Sequence, residues 1–226
     1  MSAPETSPFR YIGRKRRTKE DPRFVTGRGR YAADLALDGM KHVARVTSPH
    51  PSARIKAIRT DKALALPGVH YVLTGEEFVA NTDALQMGVD APKVQRYALA
   101  HRVVRYAGEW VAAVIADTRA LAEDAAELVE IDYEPTPYVL DAEQAFADKS
   151  VLVHPDHGSN VLYHRVYKWG PVDEAFASAQ HKLSFTVRWA RSATVPIETF
   201  GVIAQWNASM ELLDIWASIQ MPKFPD

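Results

Sequence analysis

Apolar residues run unbroken from Trp110 to Ala116, recur at helical spacing, and then alternate one by one up to Pro135. The first run is short and rich in β-branched residues, which predicts a strand buried on both faces. Asp117 and Thr118 follow with side-chain oxygens suited to the free N–H groups of a new helix. Leu121, Ala125, Leu128 and Val129 then fall on one stripe, with Glu123, Asp124 and Glu127 between them. From Glu130 the period becomes two, Ile131 and Tyr133 against Glu130, Asp132 and Glu134, until Pro135 and Pro137 end the strand. The stretch therefore predicts a strand–helix–strand unit.

Shorter patterns flank it. Strands are expected over residues 42–46, 55–58, 69–73 and 103–106. A brief helix is expected over 62–66 with Asp61 as its cap and Pro67-Gly68 as its stop. Thr74 and Glu77 have the spacing of a capping box for another short helix through Phe78. Residues 80–98 carry little pattern and are expected to form a loop. Asp141 and Gln144 are placed to cap a helix over 142–147, and 148–164 reads as a linker. Beyond it, Gly170-Pro171 opens a helix with Val172, Phe176 and Ala179 on one side. Residues 182–191 alternate clearly, with Leu183, Phe185, Val187 and Trp189 on one face, and predict a strand. Two more strands are expected over 202–206 and 212–219, joined by a turn near 207–209.

The totals narrow the function. With 47% hydrophobic residues in 226, the chain has material for a sizeable core. Lys and Arg number 27 against 28 Asp and Glu, a net charge of -1 that argues against a nucleic-acid or membrane-surface role. No apolar run approaches a membrane span, and residues 1–8 lack a signal-peptide pattern, so a cytoplasmic protein is expected. There is no cysteine. That excludes disulfides, a thiol nucleophile and thiolate ligands for zinc or iron–sulfur clusters, so any redox electrons would leave through another subunit.

Candidate chemistry is sparse. The basic run Arg14-Lys15-Arg16-Arg17 sits in a polar arm and reads as a solvated strap. Gly27-Arg28-Gly29 lacks the third glycine and the following helix of a phosphate cradle and reads as a tight turn. His154-Pro155-Asp156-His157 clusters two imidazoles and a carboxylate, but Pro155 spoils a helical ligand pairing, and no metal is expected there. Ser48 with His50 and Ser159 with His157 lack a nucleophile elbow. Glu198, inside the apolar segment Val195-Pro196-Ile197-Glu198-Thr199-Phe200-Gly201, must be paired, hydrogen-bonded or protonated if buried. A structural hydrogen bond is favoured there over catalysis. Gln220 ends an apolar strand before Met221-Pro222 with an amide to present beyond it, although on the residues alone a plain polar strand terminus is the favoured reading.

Taken together, the strings resemble a family. Lys19-Glu20-Asp21-Pro22-Arg23-Phe24, Thr26-Gly27-Arg28-Gly29-Arg30-Tyr31 with Asp34, and Ser48-Pro49-His50-Pro51-Ser52-Ala53-Arg54-Ile55 are similar to the opening of the large subunit of molybdenum hydroxylases. That group comprises xanthine dehydrogenase, aldehyde oxidoreductase and aerobic carbon monoxide dehydrogenase. Ala65-Leu66-Pro67-Gly68-Val69, Tyr106-Ala107-Gly108-Glu109-Trp110 and Ala122-Glu123-Asp124-Ala125 continue the likeness.

The resemblance implies an α+β chain: a basic arm (1–22), an α/β-hammerhead domain (23–140), a linker (141–165) and the start of a molybdenum-cofactor-binding domain (166–226). It implies Gln220 and Glu198 as the candidate catalytic residues. Gln220 is also the candidate cofactor-binding residue, its amide beside the oxo group of molybdenum. The cofactor implied is molybdopterin, as the molybdenum cytosine dinucleotide form, completed by residues outside this sequence. Iron–sulfur clusters and FAD are implied only on partner subunits. The family's later glycine-rich loop and activating glutamate have no counterpart before Asp226. The expectation is a split subunit or truncated product, inactive by itself, working with a remaining large-subunit chain on a small-molecule substrate. The other reading is a non-catalytic scaffold that keeps the hammerhead fold.

Overall fold

The computed structural model describes residues 9–13, 15–85, 94–190, 192–193, 195–196 and 198–219. The chain forms two compact units, Gly39–Ser184 and a second built from Met1–Asp38 with Phe185–Asp226. The first regular element is a one-turn helix, α1 (Asp21–Val25), with proline in its first turn, where a missing N–H costs nothing.

The larger unit is organised on its central strand. β1 (His42–Thr47), β2 (Ala53–Arg59), α2 (Asp61–Leu64), β3 (Val69–Thr74), α3 (Gly75–Asn81) and β4 (Val103–Val104) lead into β5 (Trp110–Ala116), α4 (Arg119–Glu127) and β6 (Glu130–Pro135). β5 runs antiparallel between β1 and β3, so both of its edges are paired. Val111, Ala112, Val114 and Ala116 are all fully buried, as an unbroken apolar run requires. Ala112 and Val114 pack with Ala63, Val72, Ala125 and Val129, whereas Val111 joins Ala53, Ala100 and Val104.

The predicted strand–helix–strand unit forms, but its two strands belong to different sheets. β6 pairs with β2 in a second sheet of order β4-β2-β6. Its charged face explains the separation. Glu130, Asp132 and Glu134 meet Arg59, Lys62, Lys56 and Arg54 on the exposed side, an arrangement available only to a strand with one face in water.

Several local expectations are corrected. α2 starts at Asp61 itself with Thr60 before it, and no side chain caps it. Thr74 precedes α3 without a capping bond, because Glu77 accepts the Tyr71 hydroxyl instead. Leu128 is 36% exposed, so the buried stripe of α4 is Ala122 and Ala125, continued past the helix by Val129. α3 extends to Asn81, shortening the expected loop, of which residues 86–93 lie outside the described residues. Gly75 permits a close approach: a Cβ there would stand 1.8 Å from the carbonyl oxygen of Ala100.

α5 (Ala142–Ala147) is capped as predicted, with Asp141 accepting from the Gln144 amide at 2.8 Å. α6 (Val172–Ser178) follows. Residues 182–190 do not form the predicted strand. Leu183, Phe185, Val187 and Trp189 are 71–86% exposed, and no ladder reaches them among the described residues. An alternating segment becomes a strand only when an edge is available to pair with it. The other unit holds β7 (Val202–Asn207) and β8 (Leu212–Ala217), a two-stranded antiparallel hairpin. Asn207 fastens its turn, its Oδ1 accepting from the amides of Ser209 and Met210.

Candidate functional site

Glu198 and the open end of the β7–β8 hairpin come together with the segment around Ala32. The sequence Tyr31-Ala32-Ala33-Asp34 makes a single 3-10 turn because Asp34 Oδ2 accepts the Tyr31 amide at 2.9 Å while the Asp34 amide bonds the Tyr31 carbonyl at 3.0 Å. The first N–H groups of any such turn lack internal partners. One of them, on Ala32, donates to Glu198 Oε1 at 3.0 Å. The half-buried carboxylate thus meets the hydrogen-bonding requirement set by its apolar surroundings, and ties together stretches 166 residues apart.

The hairpin ends beside this contact. Ser218 sends its amide to the Gly201 carbonyl at 3.0 Å and accepts the Gly201 amide on Oγ at 2.9 Å. The same hydroxyl donates to the Thr199 carbonyl at 3.0 Å. A Cβ on Gly201 would lie 3.5 Å from the Ala32 Cβ, so the Ser218 bonds and the Glu198 bond adjoin. Gln220, the other candidate, lies outside the described residues, as does Ile197. Ser218 went unnoticed as a candidate. Its only signal was a hydroxyl at a strand end, two residues before the amide singled out.

Among the described residues the hairpin keeps much of its apolar surface exposed. Val202, Trp206, Leu212, Leu213 and Ile215 are 49–61% exposed, which leaves apolar side chains of both strands in solvent. An isolated two-stranded ribbon is marginal in water, so these faces call for a covering layer.

The remaining candidates resolve into structural roles. Ser48 is buried and its Oγ accepts the His50 backbone amide at 3.0 Å, while the His50 ring packs edge-on against Tyr133 with centroids 5.0 Å apart. The two family-like strings meet here, since Ser48 exchanges backbone bonds with Gly108 and Glu109 at 2.7 and 2.9 Å. Burial pushes the Glu109 carboxyl up, opposed by the Arg105 amide it accepts at 2.5 Å. His157 Nε2 lies 3.1 Å from the Val161 carbonyl, and burial, with help from Arg105, pulls His154 down. Ser159 Oγ accepts the Val161 amide at 3.1 Å rather than meeting His157. In the basic arm, Arg10 and Arg16 each lie 5.1 Å from the ring of Tyr11, and Arg14 is outside the described residues. Among the described residues no three His, Cys, Asp or Glu side chains gather as a metal-ligand set. No helix among them is long and apolar enough to cross a membrane.

Comparison with known proteins gives this geometry a class. Residues 26–137 match the aldehyde oxidase and xanthine dehydrogenase a/b hammerhead domain, and residues 153–225 match the molybdopterin cofactor-binding domain. The nicotine 6-hydroxylase large subunit of Paenarthrobacter nicotinovorans is 37% identical over 94% of this chain and 26% of its own length. The carbon monoxide dehydrogenase large chain of Afipia carboxidovorans is 34% identical over 98% of this chain and 29% of its own. Among solved structures, quinoline 2-oxidoreductase from Pseudomonas putida 86 aligns with a TM-score of 0.81 and 36% identity, covering 90% of this chain and 26% of that one. Aldehyde oxidoreductase from Desulfovibrio gigas aligns with a TM-score of 0.75 and 29% identity, covering 88% and 23%. The chain belongs to the aldehyde oxidase and xanthine dehydrogenase family of molybdenum hydroxylases. It spans about a quarter of the length of the curated relatives it matches, 26% and 29% for the two above.

Proposed function

We propose that this chain is the N-terminal portion of the large subunit of a molybdopterin-dependent hydroxylase or dehydrogenase, and that residues 198–220 form one wall of its cofactor site. The observation that carries the reading is the exposed hairpin: a segment matching a cofactor-binding domain, with apolar side chains of both strands in solvent among the described residues and one end fastened by hydrogen bonds. On this reading residues 1–22 are an arm, 23–140 the hammerhead domain, 141–165 a linker and 166–226 the first part of the cofactor domain.

The donor set fits such a group. Glu198, Ser218 and the backbone of 199–201 bond to Ala32 and to one another and, among the described residues, build no metal cage, which suits an organic cofactor that brings its metal with it. When bound, molybdopterin, as the cytosine dinucleotide form, would supply two-electron oxidation with insertion of a water-derived oxygen into an aldehyde, a heteroaromatic ring or a similar small substrate. Gln220 would orient the group through its amide, and Glu198 would hold the neighbouring wall through Ala32. Electrons would pass to iron–sulfur and FAD partner subunits, since this chain itself has no cysteine to hold a cluster. The assembly would be cytoplasmic.

Isolation of the tagged chain from its source organism, followed by metal and pterin analysis, tests this. The expected result is co-purification of molybdenum, pterin and a chain carrying the remaining cofactor domains. A chain that emerges alone and free of molybdenum would favour the non-catalytic scaffold and overturn the proposal.

A further inference from the structure

We propose that the cleft left where β4 stops short of the end of β2 is a docking site for an extended peptide segment of a partner protein, one that carries a carboxylate. The cleft lies in the unit Gly39–Ser184 and is independent of the cofactor reading. β2 runs from Ala53 to Arg59, but β4 pairs only with its first two residues, Ala53 and Arg54. One more bond, from the Ile55 amide to the Arg102 carbonyl at 2.8 Å, ends the contact. Beyond it, residues 57–59 stay paired with β6 on one side. On the other side, residues 56–59 have no neighbouring strand among the described residues. Four residues of open edge span about 13 Å, enough for a short added strand.

A local turn diverts the chain from the sheet. The Val103 amide donates to the His101 carbonyl at 2.7 Å, closing a three-residue turn with Arg102 at its centre and φ +64. Such a turn is strained for a residue with a Cβ, whereas glycine would make it freely. The Ala100 amide bonds the Trp110 carbonyl at 2.7 Å, and the Ala100 carbonyl lies against Gly75. Residues 100–102 are thereby held off β2, and a cleft of about 250 Å³ opens between them, β2 and the start of α3. Small-molecule pockets begin at roughly 300 Å³, so a side chain matches this space better than a cofactor does.

Charge selects the occupant. Lys56, His101 and Arg102 line the cleft against one carboxylate, Glu76. Lys56 is engaged by Glu134 at 2.6 Å, whereas no ion pair or side-chain hydrogen bond holds Arg102 or Glu76 among the described residues. The strained turn thus carries a free guanidinium to an open sheet edge. An incoming strand would take its main-chain bonds from β2 and set one carboxylate against Arg102, whose parallel N–H donors can grip both oxygens. Glu76 opposes a second one.

The test titrates the full chain with a blocked pentapeptide, threonine-valine-glutamate-valine-threonine, and with the same peptide carrying lysine at its centre. The glutamate peptide should slow hydrogen exchange at amides within 56–59. It should also bind about fivefold more tightly than the lysine peptide, the difference between an attractive and a repulsive exposed pair. Arg102→Gly, which suits φ +64, keeps the turn and should bring the two affinities together. Glu76→Gln should tighten the glutamate peptide and weaken the lysine one. No protection of 56–59 with either peptide at about 10 mM would overturn the proposal. So would equal affinities in the unsubstituted chain, or a preference that survives Arg102→Gly. Acetate that protects these amides as well as the peptide does would reassign the cleft to a small anion and reject the added strand. Should the glycine variant fail to fold, Arg102→Gln removes the same charge, and a preference that persists in it would equally reject the site.

Discussion

Asp117 lies at the junction of β5 and α4, where its Oδ1 is 2.5 Å from Lys41 Nζ and 2.7 Å from His70 Nε2. The Lys41 bond first, and the His70 bond after it, hold the carboxyl down to about 2. Neighbouring geometry leaves little choice of residue at position 68: Gly68 has φ +89, and a Cβ there would meet Asp117 Oδ2 at 2.9 Å. Because the folded-state value is depressed, the contribution of Asp117 to stability is complete above the ordinary carboxylate range. It is lost as pH falls from near 4 through about 2. Side chains about half exposed keep that contribution modest. Carbon-detected titration of the Asp117 carboxyl in the folded chain should give a midpoint near 2, and Asp117→Asn should flatten the stability profile across that window. A midpoint near 4 would mean that the Lys41 and His70 contacts do not persist in solution.

The helix α4 owes its start to Thr118, whose Oγ1 accepts the Leu121 amide at 3.2 Å. Thr118→Ala should therefore destabilise the larger unit by about 1 kcal/mol, measured by chemical denaturation with an unchanged m-value. Loss of less than a few tenths would assign the cap to another group. At this scale the sequence is readable wherever one side of an element meets its partner locally. β5 declared itself because every position but its first is shielded, and α5 because Asp141 sits at the spacing that reaches Gln144. The capping expected of Thr74 with Glu77 did not form, because Tyr71, six residues from Glu77 and on β3, competes for the carboxylate. The strand expected over 182–191 had the right alternation but depends on an edge that its own pattern cannot supply. Within the site, the apolar setting of Glu198 announced a hydrogen bond without naming Ala32, a partner 166 residues away. Gln220 stands out only as a polar strand end, and its suggested role comes from the family resemblance.

On the scale of the whole molecule, the two units differ in how far they satisfy themselves. Gly39–Ser184 contains the buried core around β5 and its flanking helices. The unit containing β7 and β8 presents Val202, Trp206, Leu213 and Ile215 to solvent and is fastened at one end by the bonds between Ser218 and Gly201. That contrast is what a scaffold joined to one wall of a shared cavity would show. Anomalous scattering at the molybdenum edge, from crystals of the assembly purified through this chain, tests the idea most directly. The metal should lie within about 5 Å of the Gln220 amide nitrogen, the sum of about 3 Å of hydrogen bond and about 2 Å of metal–ligand bond. A molybdenum position far from Gln220, with that amide packed inside protein, would contradict it.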